Sequence, residues 1–507
     1  MITTVDVIAV VVRTYVAGPP RPHRRSSVDT SADPSPSPDN SPSGSALSRR
    51  RALAIGLGGA AGLAIASPAW AVTDHRPGAH RPPTLNPGDR LVAGRVSARR
   101  AIDHLRVLSE RIGPRIGGTP SERAAANYLE DVLDDLGYRT TLQPFPVADK
   151  FLAQLSSRPG LPDDLNWQVG ASPHAALNTR VSGRVVDVAA GAPANYPEDV
   201  TGKVVLVDYV AAQRETLVAT AVARGAAAVV FLPADLVEPR RASAFAPTLP
   251  GSATTPVPIP VVGVAQAQKH RLRERLAARP FTLTVATTAH RGLTSHNVLA
   301  ERAPRRDAST SPVVMVSAHY DTVIGAPGAN DDGSGTVLCL ELARVLRSLP
   351  TDATIRFGLW GSEEQGLIGS RYYVAQLPQA ERDRIVAVYQ NDMVATSWDP
   401  ATRYWLLSFD GLANRATTEV AAAATRLGYE PRISPVTLRG SSDHQSFQEV
   451  GIASANFSWR GEESPALLEP PYHSPEDTIA KNVSAERLQV SLELIGCAAY
   501  ATARNPT

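Results

Sequence analysis

The sequence predicts an α/β fold in which a mixed, mostly parallel central sheet is flanked by helices and interrupted by a β-rich α+β insert. From about residue 296 onward, continuous apolar runs alternate with stretches of helical periodicity, a pattern typical of α/β sheets. Residues 152–290 differ, because short β-branched runs there are separated by Gly and Pro. The length of 507 residues is enough for two or three domains.

The composition excludes several classes of protein. The chain has 51 Lys and Arg against 49 Asp and Glu, and a net charge of +2 gives no electrostatic basis for binding nucleic acid. Its hydrophobic content of 43% is ordinary for a folded globular protein, which argues against wholesale disorder and against several membrane spans. We therefore expect no nucleic-acid partner.

Residues 1–47 are predicted to be a disordered leader. Residues 18–47 are rich in Pro, Ser, Asp and Arg and cannot bury enough apolar surface to offset chain entropy. A targeting signal normally opens a chain, however, and the next segment has the character of such a signal. The alternative for residues 1–47 is therefore a misassigned start, with Val28 as one candidate for the true start.

Residues 48–71 are predicted to be a signal peptide of the twin-arginine type. Arg49 to Arg51 precede an apolar, Gly/Ala-rich run, and Ala69-Trp70-Ala71 has the small-x-small form of a cleavage site. An uncleaved anchor is the alternative, but the run is short and Gly-rich for a stable span. We expect a secreted or extracytoplasmic protein with no stable membrane insertion after cleavage. Removal of residues 1–71 leaves 44 basic and 45 acidic side chains.

The exported part begins with a Pro-rich segment, residues 72–95, and regular structure is expected from about Arg99. Thr119 and Glu122 have the form of a capping box, with Pro120 in the first turn, and predict a helix that ends near Gly137. We assign residues 96–151 and 291–507 to the main domain and residues 152–290 to the insert. Two cysteines, Cys339 and Cys497, either pair in an oxidising compartment or stay buried as thiols.

The insert is predicted to contain strands at 185–188, 204–207, 226–232 and 259–264, with a helix at 215–224. Its histidines, His174, His270 and His290, have no carboxylates at ligand spacing. We therefore expect no catalysis in the insert.

The main domain is predicted to alternate strands with helices. Strands are expected at 313–318, 354–360, 385–389 and 452–459, and helices at 336–349, 415–427 and 484–501. The run at 313–318 is apolar throughout, as expected for a strand that is buried on both faces.

Polar side chains follow these four strands at the points where they end. In chain order they are His319 and Asp321, Glu363 and Glu364, Asp392, and His473. Sites in open α/β sheets are built at the carboxyl ends of the strands. The sequence therefore predicts that these groups meet at one edge of the sheet.

The set of side chains suits a metal site. Asp331 and Asp332 join it from a Gly-rich turn, 330–335, that opens a helix. Two histidines with several carboxylates and no cysteine suit Zn²⁺ or another first-row divalent ion, and bridging carboxylates let such a set hold two ions. Each part alone has an ordinary explanation, as a hydrogen-bonded pair, a helix-terminal acidic pair or a turn. Their concentration at matching strand ends favours the metal site.

These residues lie in motifs that resemble those of the co-catalytic di-zinc aminopeptidases and their relatives, which include glutamate carboxypeptidase-like enzymes and glutaminyl cyclases. The motifs are SAHYD at 317–321, ANDDGSG at 329–335, WGSEEQGLIGS at 360–370, NDM at 391–393, SDH at 442–444 and YHSPEDT at 472–478. The resemblance covers about 96–150 and 296–500 and implies a zinc-exopeptidase fold. The insert resembles a protease-associated domain, through GKVVLV at 202–207, ARGAAAVVF at 223–231 and IPVVGV at 259–264.

The resemblance implies two zinc ions per chain. His319 and Asp392 match the ligands of one ion, Glu364 and His473 match those of the other, and Asp331 matches the bridging carboxylate.

The resemblance also implies catalytic roles. Glu363 matches a general base acting on a metal-activated water, and Asp321 matches the carboxylate that orients the imidazole of His319. Asp332 resembles the partner of Asp331 in a cis peptide. Tyr472 is a candidate donor to the tetrahedral oxyanion, with a packing role as the alternative. Asp443 and His444 are expected to have structural or pocket-wall roles.

We expect an exported zinc-dependent exopeptidase, foremost an aminopeptidase whose substrates are peptide or protein N-termini. Glutaminyl cyclase and carboxypeptidase-like activities are the alternatives within the family. A non-catalytic, receptor-like binding protein is the alternative of another class. It would have lost its metals, whereas all five ligand positions and Glu363 are intact here. The oligomeric state stays open.

Overall fold

The computed structural model describes residues 85–157, 165–237, 239–304 and 310–506, together with Gly78. The predicted leader (1–47) and signal peptide (48–71) lie outside the described residues. Among the helices of the described part, none is both long and apolar enough to cross a membrane.

The helices of the described residues vary from short turns to a 20-residue terminal helix. In chain order they are α1 (Pro87–Ala93), α2 (Ala98–Arg106), α3 (Pro120–Asp135), α4 (Arg214–Ala223), α5 (Gln266–Ala278), α6 (Gly333–Leu346), α7 (Ile368–Gln376), α8 (Gln379–Arg384), α9 (Arg415–Leu427), α10 (His444–Gln448), α11 (Ile479–Asn482) and α12 (Ala485–Arg504).

The strands form two sheets. In chain order they are β1 (Arg139–Val147), β2 (Lys150–Ser157), β3 (Asn166–Ala171), β4 (Arg180–Asp187), β5 (Val204–Asp208), β6 (Ala228–Leu232), β7 (Val261–Gly263), β8 (Thr282–His290), β9 (Leu293–Arg302), β10 (Val313–His319), β11 (Thr354–Trp360), β12 (Ile385–Asn391), β13 (Arg403–Ser408), β14 (Ile433–Leu438) and β15 (Ser454–Arg460).

The main sheet has eight strands in the order β1-β9-β11-β10-β12-β15-β13-β14. Its four central strands, β11, β10, β12 and β15, run parallel to one another, and antiparallel pairings lie toward both edges. This confirms the predicted α/β class and its mixed, mostly parallel sheet, because four of the seven strand pairings are parallel.

Strand β10 shows why the apolar runs become central strands. Its side chains alternate between two cores, since Val314 and Val316 pack into the large cluster with α6 and α12, whereas Val313 and Met315 pack into the cluster beneath α7 and α10. All seven residues of the strand are buried. Burial of a Val side chain contributes about 1.5–3 kcal/mol, so a strand covered on both faces favours an unbroken apolar sequence.

The second sheet is a closed barrel in the order β2-β3-β7-β6-β5-β4-β8, with all its strands between Lys150 and His290. Strand β5 alternates like β10, with Val204 and Leu206 in one core and Val205 and Val207 in the other. The β-rich module expected in this part of the chain is therefore present, although β2, β3, β8 and helix α5 were not among the predicted elements.

Regular structure begins earlier than the sequence indicated, at Pro87 rather than near Arg99. The side chain of Asn86 caps α1 by accepting the backbone N–H of Asp89 at 2.7 Å. Asp89 then pairs with Arg426 at 2.7 Å, and Val92 is fully buried in the main core. The high proline content of residues 72–95 hid this helix, because Pro87 occupies the first helical turn, where proline is tolerated.

The predicted capping box at the start of α3 is wrong, although the helix itself is confirmed. Thr119 does not cap the helix, and its hydroxyl donates to the carbonyl of Ile116 at 2.6 Å. Glu122 accepts the N–H of Gly118 and the hydroxyl of Ser295, each at 2.6 Å. Both side chains therefore bond to other residues instead of forming the capping box with the start of α3.

The strands that the sequence did not predict lie outside the central four. Strand β1 is half-exposed, contains Pro144 and Pro146, and pairs with β9 alone at the edge of the sheet. Strand β14 occupies the other edge and has only one fully buried position, Ser434. Neither β1 nor β14 carries a continuous apolar run.

Cys339 and Cys497 are both buried as thiols, and no disulfide joins them. Of the two alternatives left open by the sequence, the structure has the pair of buried thiols.

Candidate metal centre

The predicted polar groups meet at the carboxyl edge of the four parallel strands. His319 is the last residue of β10, and Asp392 directly follows β12. Glu363 and Glu364 begin a short 3₁₀ turn shortly after β11, and His473 lies on the long connection after β15. Parallel strands end at the same edge, so residues far apart in sequence are brought together there.

Asp331 lies between the two histidines. Its Oδ1 is 3.4 Å from Nε2 of His319, and its Oδ2 is 3.0 Å from Nε2 of His473. Nε2 of His473 is also 3.1 Å from Oε2 of Glu364. One carboxylate therefore faces both imidazoles through its two oxygens.

Asp392 and Glu363 complete the cluster on the side of His319. Oδ1 of Asp392 and Oε2 of Glu363 are each 3.9 Å from Nε2 of His319. The donor atoms form two groups that could each hold a metal ion, namely His319 with Glu363 and Asp392, and Asp331 with Glu364 and His473. The atoms of each group lie within 4.8 Å of one another.

The residues fit a pair of divalent ions. Oε1 of Glu364 and Oδ1 of Asp392 are buried and accept no hydrogen bond from the described residues. Buried carboxylate oxygens are normally paired or bound to metal, because an unpaired buried charge is costly. Nitrogen and oxygen donors without thiolate match the preferences of zinc and similar ions.

The close packing of imidazoles and carboxylates in this cluster changes the pKa values of its members. Burial acts to lower the pKa of His319 and His473, but the neighbouring carboxylates outweigh it and raise both pKa values well above the ordinary value. Burial, reinforced by Asp443, Glu364 and Asp392, raises the pKa of Glu363 well above its usual range. Metal binding to the imidazoles must therefore displace protons.

Asp321 acts on both sides of the site. Its Oδ1 is 3.4 Å from Nδ1 of His319, the contact that the sequence suggested. The same carboxylate accepts the backbone N–H of Glu363 at 2.9 Å and of Glu364 at 3.3 Å. It thereby fixes the turn that carries the two glutamates and lies beside the imidazole of His319.

Asp332 supports the site from the start of α6. The peptide bond between Asp331 and Asp332 is cis, as the family motif implied. The Asp332 carboxylate accepts the backbone N–H of Gly335 at 2.9 Å, of Met393 at 3.2 Å and of His319 at 3.2 Å. It therefore joins the ends of β10 and β12 to the helix.

Several non-glycine residues around the site have left-handed backbone conformations. They are Ser362, Leu367, Met393, Ser441 and His473, with φ between 54° and 65°. Only two other non-glycine residues of the described ranges have positive φ. Each such conformation costs about 1–2 kcal/mol, and strain of this kind concentrates at functional sites.

Sequence reasoning missed a buried network beneath Asp331. Asp477 accepts the backbone N–H groups of Asn330 and Asp331 at 2.9 and 3.0 Å. Glu469 accepts the side-chain amides of Asn330 and Asn482 at 2.7 and 3.1 Å. Asp477 lies within the recognised motif at 472–478, so that motif was the signal that could have found it.

Arg115 was also missed. Its side chain is fully buried and donates to the backbone carbonyls of Tyr320, Leu108, Gly113, Pro327 and Gly328, at 2.7–3.1 Å. It thus holds the segment between His319 and Asp331 from both sides. Nothing in the local sequence around Arg115 distinguishes it from the exposed arginines nearby.

Asp443 and His444 are buried behind the site. Burial lowers the pKa of His444 to about 4, and its Nε2 is 2.8 Å from the carbonyl oxygen of Arg439. Asp443 accepts a hydrogen bond from Gln390 at 3.2 Å. Neither belongs to the two donor groups.

A cavity of about 350 Å³ opens onto the donor atoms. Tyr472 lines it, with its ring stacked on that of His473 at a centroid distance of 3.7 Å. Burial, together with Asp331, raises the pKa of Tyr472 well above its ordinary value, so the phenol keeps its proton. Three arginines, Arg371, Arg439 and Arg460, also line this cavity.

Two protein families match the chain. Peptidase family M28 matches residues 297–498, and the PA domain matches residues 181–272. The first match contains the donor residues, and the second lies within the part of the chain that forms the barrel.

Curated relatives match most of the chain. Aminopeptidase YwaD of Bacillus subtilis is 34% identical over 403 residues, which cover 80% of this chain and 84% of that protein. The probable lipoprotein aminopeptidase LpqL of Mycobacterium tuberculosis is 30% identical over 425 residues, which cover 76% and 81% of the two chains.

Among solved structures, BSAP, a zinc aminopeptidase from Bacillus subtilis, matches with a TM-score of 0.57 at 33% identity. The match covers 81% of this chain and 96% of that chain.

Proposed function

Since the chain belongs to peptidase family M28, we propose that it is an exported metallo-aminopeptidase that removes the N-terminal residue from peptides. Its relatives with a matched insert are aminopeptidases by name, and a solved zinc aminopeptidase has a similar structure. The observation that carries the proposal is the position of Asp331, whose two oxygens face His319 and His473.

That position supports the ligand set implied by the family resemblance. His319 and Asp392 would hold one zinc ion, Glu364 and His473 would hold the second, and Asp331, which faces both histidines, would serve both ions. Asp321 supports this arrangement by facing Nδ1 of His319, which leaves Nε2 directed at the carboxylates. Asp477 and Asp332 support it by fixing the backbone on either side of Asp331.

When bound, two zinc ions supply Lewis-acid polarisation of the scissile carbonyl and lower the pKa of a water molecule. Glu363 is the general base in this proposal. Its carboxylate lines the cavity close to His319, where it can take a proton from water and return it to the leaving amine. Asp321 holds the backbone N–H of Glu363 and so fixes the base in the cleft.

Tyr472 is proposed as a donor to the oxyanion of the tetrahedral intermediate. Its hydroxyl has no partner among the described residues, it lines the cavity, and its raised pKa keeps it a donor at neutral pH. The stacking of its ring on His473 fixes its direction.

Export rests on the sequence of residues 48–71. The twin-arginine character and the cleavage motif that ends at Ala71 predict a mature protein that begins at Val72. Sequencing the N-terminus of the protein recovered outside the cytoplasm tests this. A protein that retains residues 48–71 there contradicts the cleaved signal.

The function is tested with matched chromogenic substrates. We expect the purified protein to hydrolyse leucine 4-nitroanilide and to leave N-acetyl-leucine 4-nitroanilide intact, with all activity lost after chelation and restored by zinc. Hydrolysis of the acetylated substrate at an equal rate contradicts the requirement for a free amino terminus. Conversion of an N-terminal glutaminyl peptide into its pyroglutamyl form with release of ammonia, and without peptide-bond hydrolysis, shows a cyclase instead.

A further inference from the structure

Two arginines lie in the wall of the catalytic cavity. Arg439 follows β14 directly, and Arg460 is the last residue of β15. Both line the cavity that contains the metal donors. Burial lowers the pKa of Arg439 to about 10, and the positive charge of Arg460 acts in the same direction.

Neither guanidinium group is neutralised by the described residues. Arg460 is only 4% exposed, and its two hydrogen bonds, Nε to Oγ of Ser458 and Nη1 to the carbonyl of Pro465, each 3.1 Å, go to uncharged acceptors. Its Nη2 has no partner in the described part of the chain. The Arg439 side chain is half-buried and makes no hydrogen bond or ion pair with a described residue.

The other cavity arginine is different. Arg371 pairs with Glu449 at 3.3 Å, and both side chains are largely exposed to solvent. The carboxylates that line the cavity belong to the metal centre, and within the described residues none of them forms an ion pair with Arg439 or Arg460. In the proposed function, those carboxylates are committed to the metals and to proton transfer.

Buried charges in proteins are normally paired, since an uncompensated charge in a partly dry cleft is costly. Arg426 illustrates the rule in this chain, because its side chain forms two hydrogen bonds with the carboxylate of Asp89. Two guanidinium groups that line one substrate cavity without a carboxylate partner therefore indicate an anionic ligand. A carboxylate matches the planar fork of arginine.

We propose that Arg439 and Arg460 bind a carboxylate of the substrate, so that the enzyme prefers acidic peptides. The inference rests on the proposed function and specifies its substrate class. Two parts of a substrate could supply this carboxylate: the side chain of an N-terminal Glu or Asp, or the C-terminus of a very short peptide.

Two pairs of substrates separate these sources. Glutamyl and glutaminyl 4-nitroanilides differ only in the side-chain charge, and Leu-Gly and Leu-Gly-amide differ only at the C-terminus. In one of the two pairs, we expect the charged substrate to have a kcat/KM about 10- to 100-fold higher than that of the neutral substrate. This ratio corresponds to the free energy of a charge-assisted hydrogen bond, and we expect it to arise mostly from a lower KM.

Variants link the preference to these residues. We expect Arg439→Gln to lower the charged-to-neutral ratio at least tenfold, and Arg460→Lys to lower it less, because lysine keeps the charge but loses the fork. Arg371→Gln is the matched control, since it removes a cavity arginine that is already paired, and it should leave the ratio unchanged. An equal drop in the control contradicts a local carboxylate site.

Failure of this inference is distinguishable from failure of the proposed function. If leucine 4-nitroanilide is hydrolysed but neither pair shows discrimination, the carboxylate site is wrong and the aminopeptidase stands. Calorimetric titration of the Glu363→Gln variant, which should keep its metal but turn over slowly, with L-glutamate, L-glutamine, Leu-Gly and Leu-Gly-amide measures binding separately from turnover. Equal affinity for glutamate and glutamine, with no loss for Leu-Gly on amidation, overturns the proposal independently of activity.

Discussion

Asp477 accepts the backbone N–H of Asp331 at 3.0 Å, across 146 residues of sequence. The same carboxylate accepts the N–H of Asn330 at 2.9 Å and the side-chain amide of Asn482 at 2.8 Å. It lies four residues after His473, so one buried side chain ties the connection that carries His473 to the turn that carries Asp331. The spacing between these two donors depends on this contact.

Replacement of Asp477 should weaken metal binding more than folding. In Asp477→Asn, the amide offers one acceptor oxygen where the carboxylate offered two, so at least one of the N–H groups of Asn330 and Asp331 loses its partner. We expect zinc affinity to fall about 10- to 100-fold, as for other groups that support metal ligands. Competition with a chromogenic chelator measures this, with Asp383→Asn, an exposed site, as the control. Unchanged affinity contradicts the role given to Asp477.

The adjacent residues Glu363 and Glu364 should give opposite phenotypes. Glu363→Gln should keep bound zinc but lose about 10²- to 10⁴-fold in kcat, because the base is removed while the ligands stay. Glu364→Gln should lose zinc affinity, because it removes a ligand of the second ion. Metal content and rate are measured on the same samples. A Glu363→Gln protein with normal zinc and normal kcat would falsify the base assignment.

Arg115 should be important for stability. Arg115→Met leaves backbone carbonyls of Tyr320, Gly328 and three other residues without their donor in a fully buried position. We expect the free energy of unfolding to fall by more than about 3 kcal/mol, because buried acceptors lose charge-assisted bonds. Urea unfolding with Arg111→Met, an exposed neighbour, as the control tests this. A loss as small as that of the control contradicts the claim.

Glu122 should make stability depend on pH. Burial, and then the charge of Asp321, raises the pKa of Glu122 from 4.5 to about 8. A carboxyl group whose folded-state pKa is raised favours the folded state fully below its unfolded pKa, and this contribution is lost as the pH rises through 8. Unfolding midpoints at pH 5, 7 and 9 should therefore fall more steeply for the native chain than for Glu122→Gln. Parallel profiles, at equal zinc content, contradict the shifted pKa.

The candidate metal ligands could be predicted because most of them occupy the same position relative to a strand. His319, Glu363, Glu364 and Asp392 each follow an apolar run by at most a few residues, and parallel strands bring such ends together. The apolar runs are themselves visible, since the central strands are buried on both faces. The α/β class and the position of these residues at the carboxyl edge therefore follow from the sequence.

The supporting residues were not predictable, because nothing local marks them. Arg115 and Asp477 act through partners between 2 and 213 residues away in sequence. For Glu122 the local sequence was misleading. Its spacing from Thr119 suggested a capping box, whereas its hydrogen-bond partners are Gly118 and Ser295. Tertiary contacts decided all three cases, and the half-exposed edge strand β1 carried no apolar run that could have revealed it.

Zinc titration of the metal-free protein, with bound metal and the rate of leucine 4-nitroanilide hydrolysis measured on the same samples, tests the paired metal centre most directly. We predict that activity is absent without metal and that full activity coincides with two zinc ions per chain, the number implied by Asp331 facing both His319 and His473. Activity that survives complete removal of metal, or full activity with one ion per chain, contradicts this account.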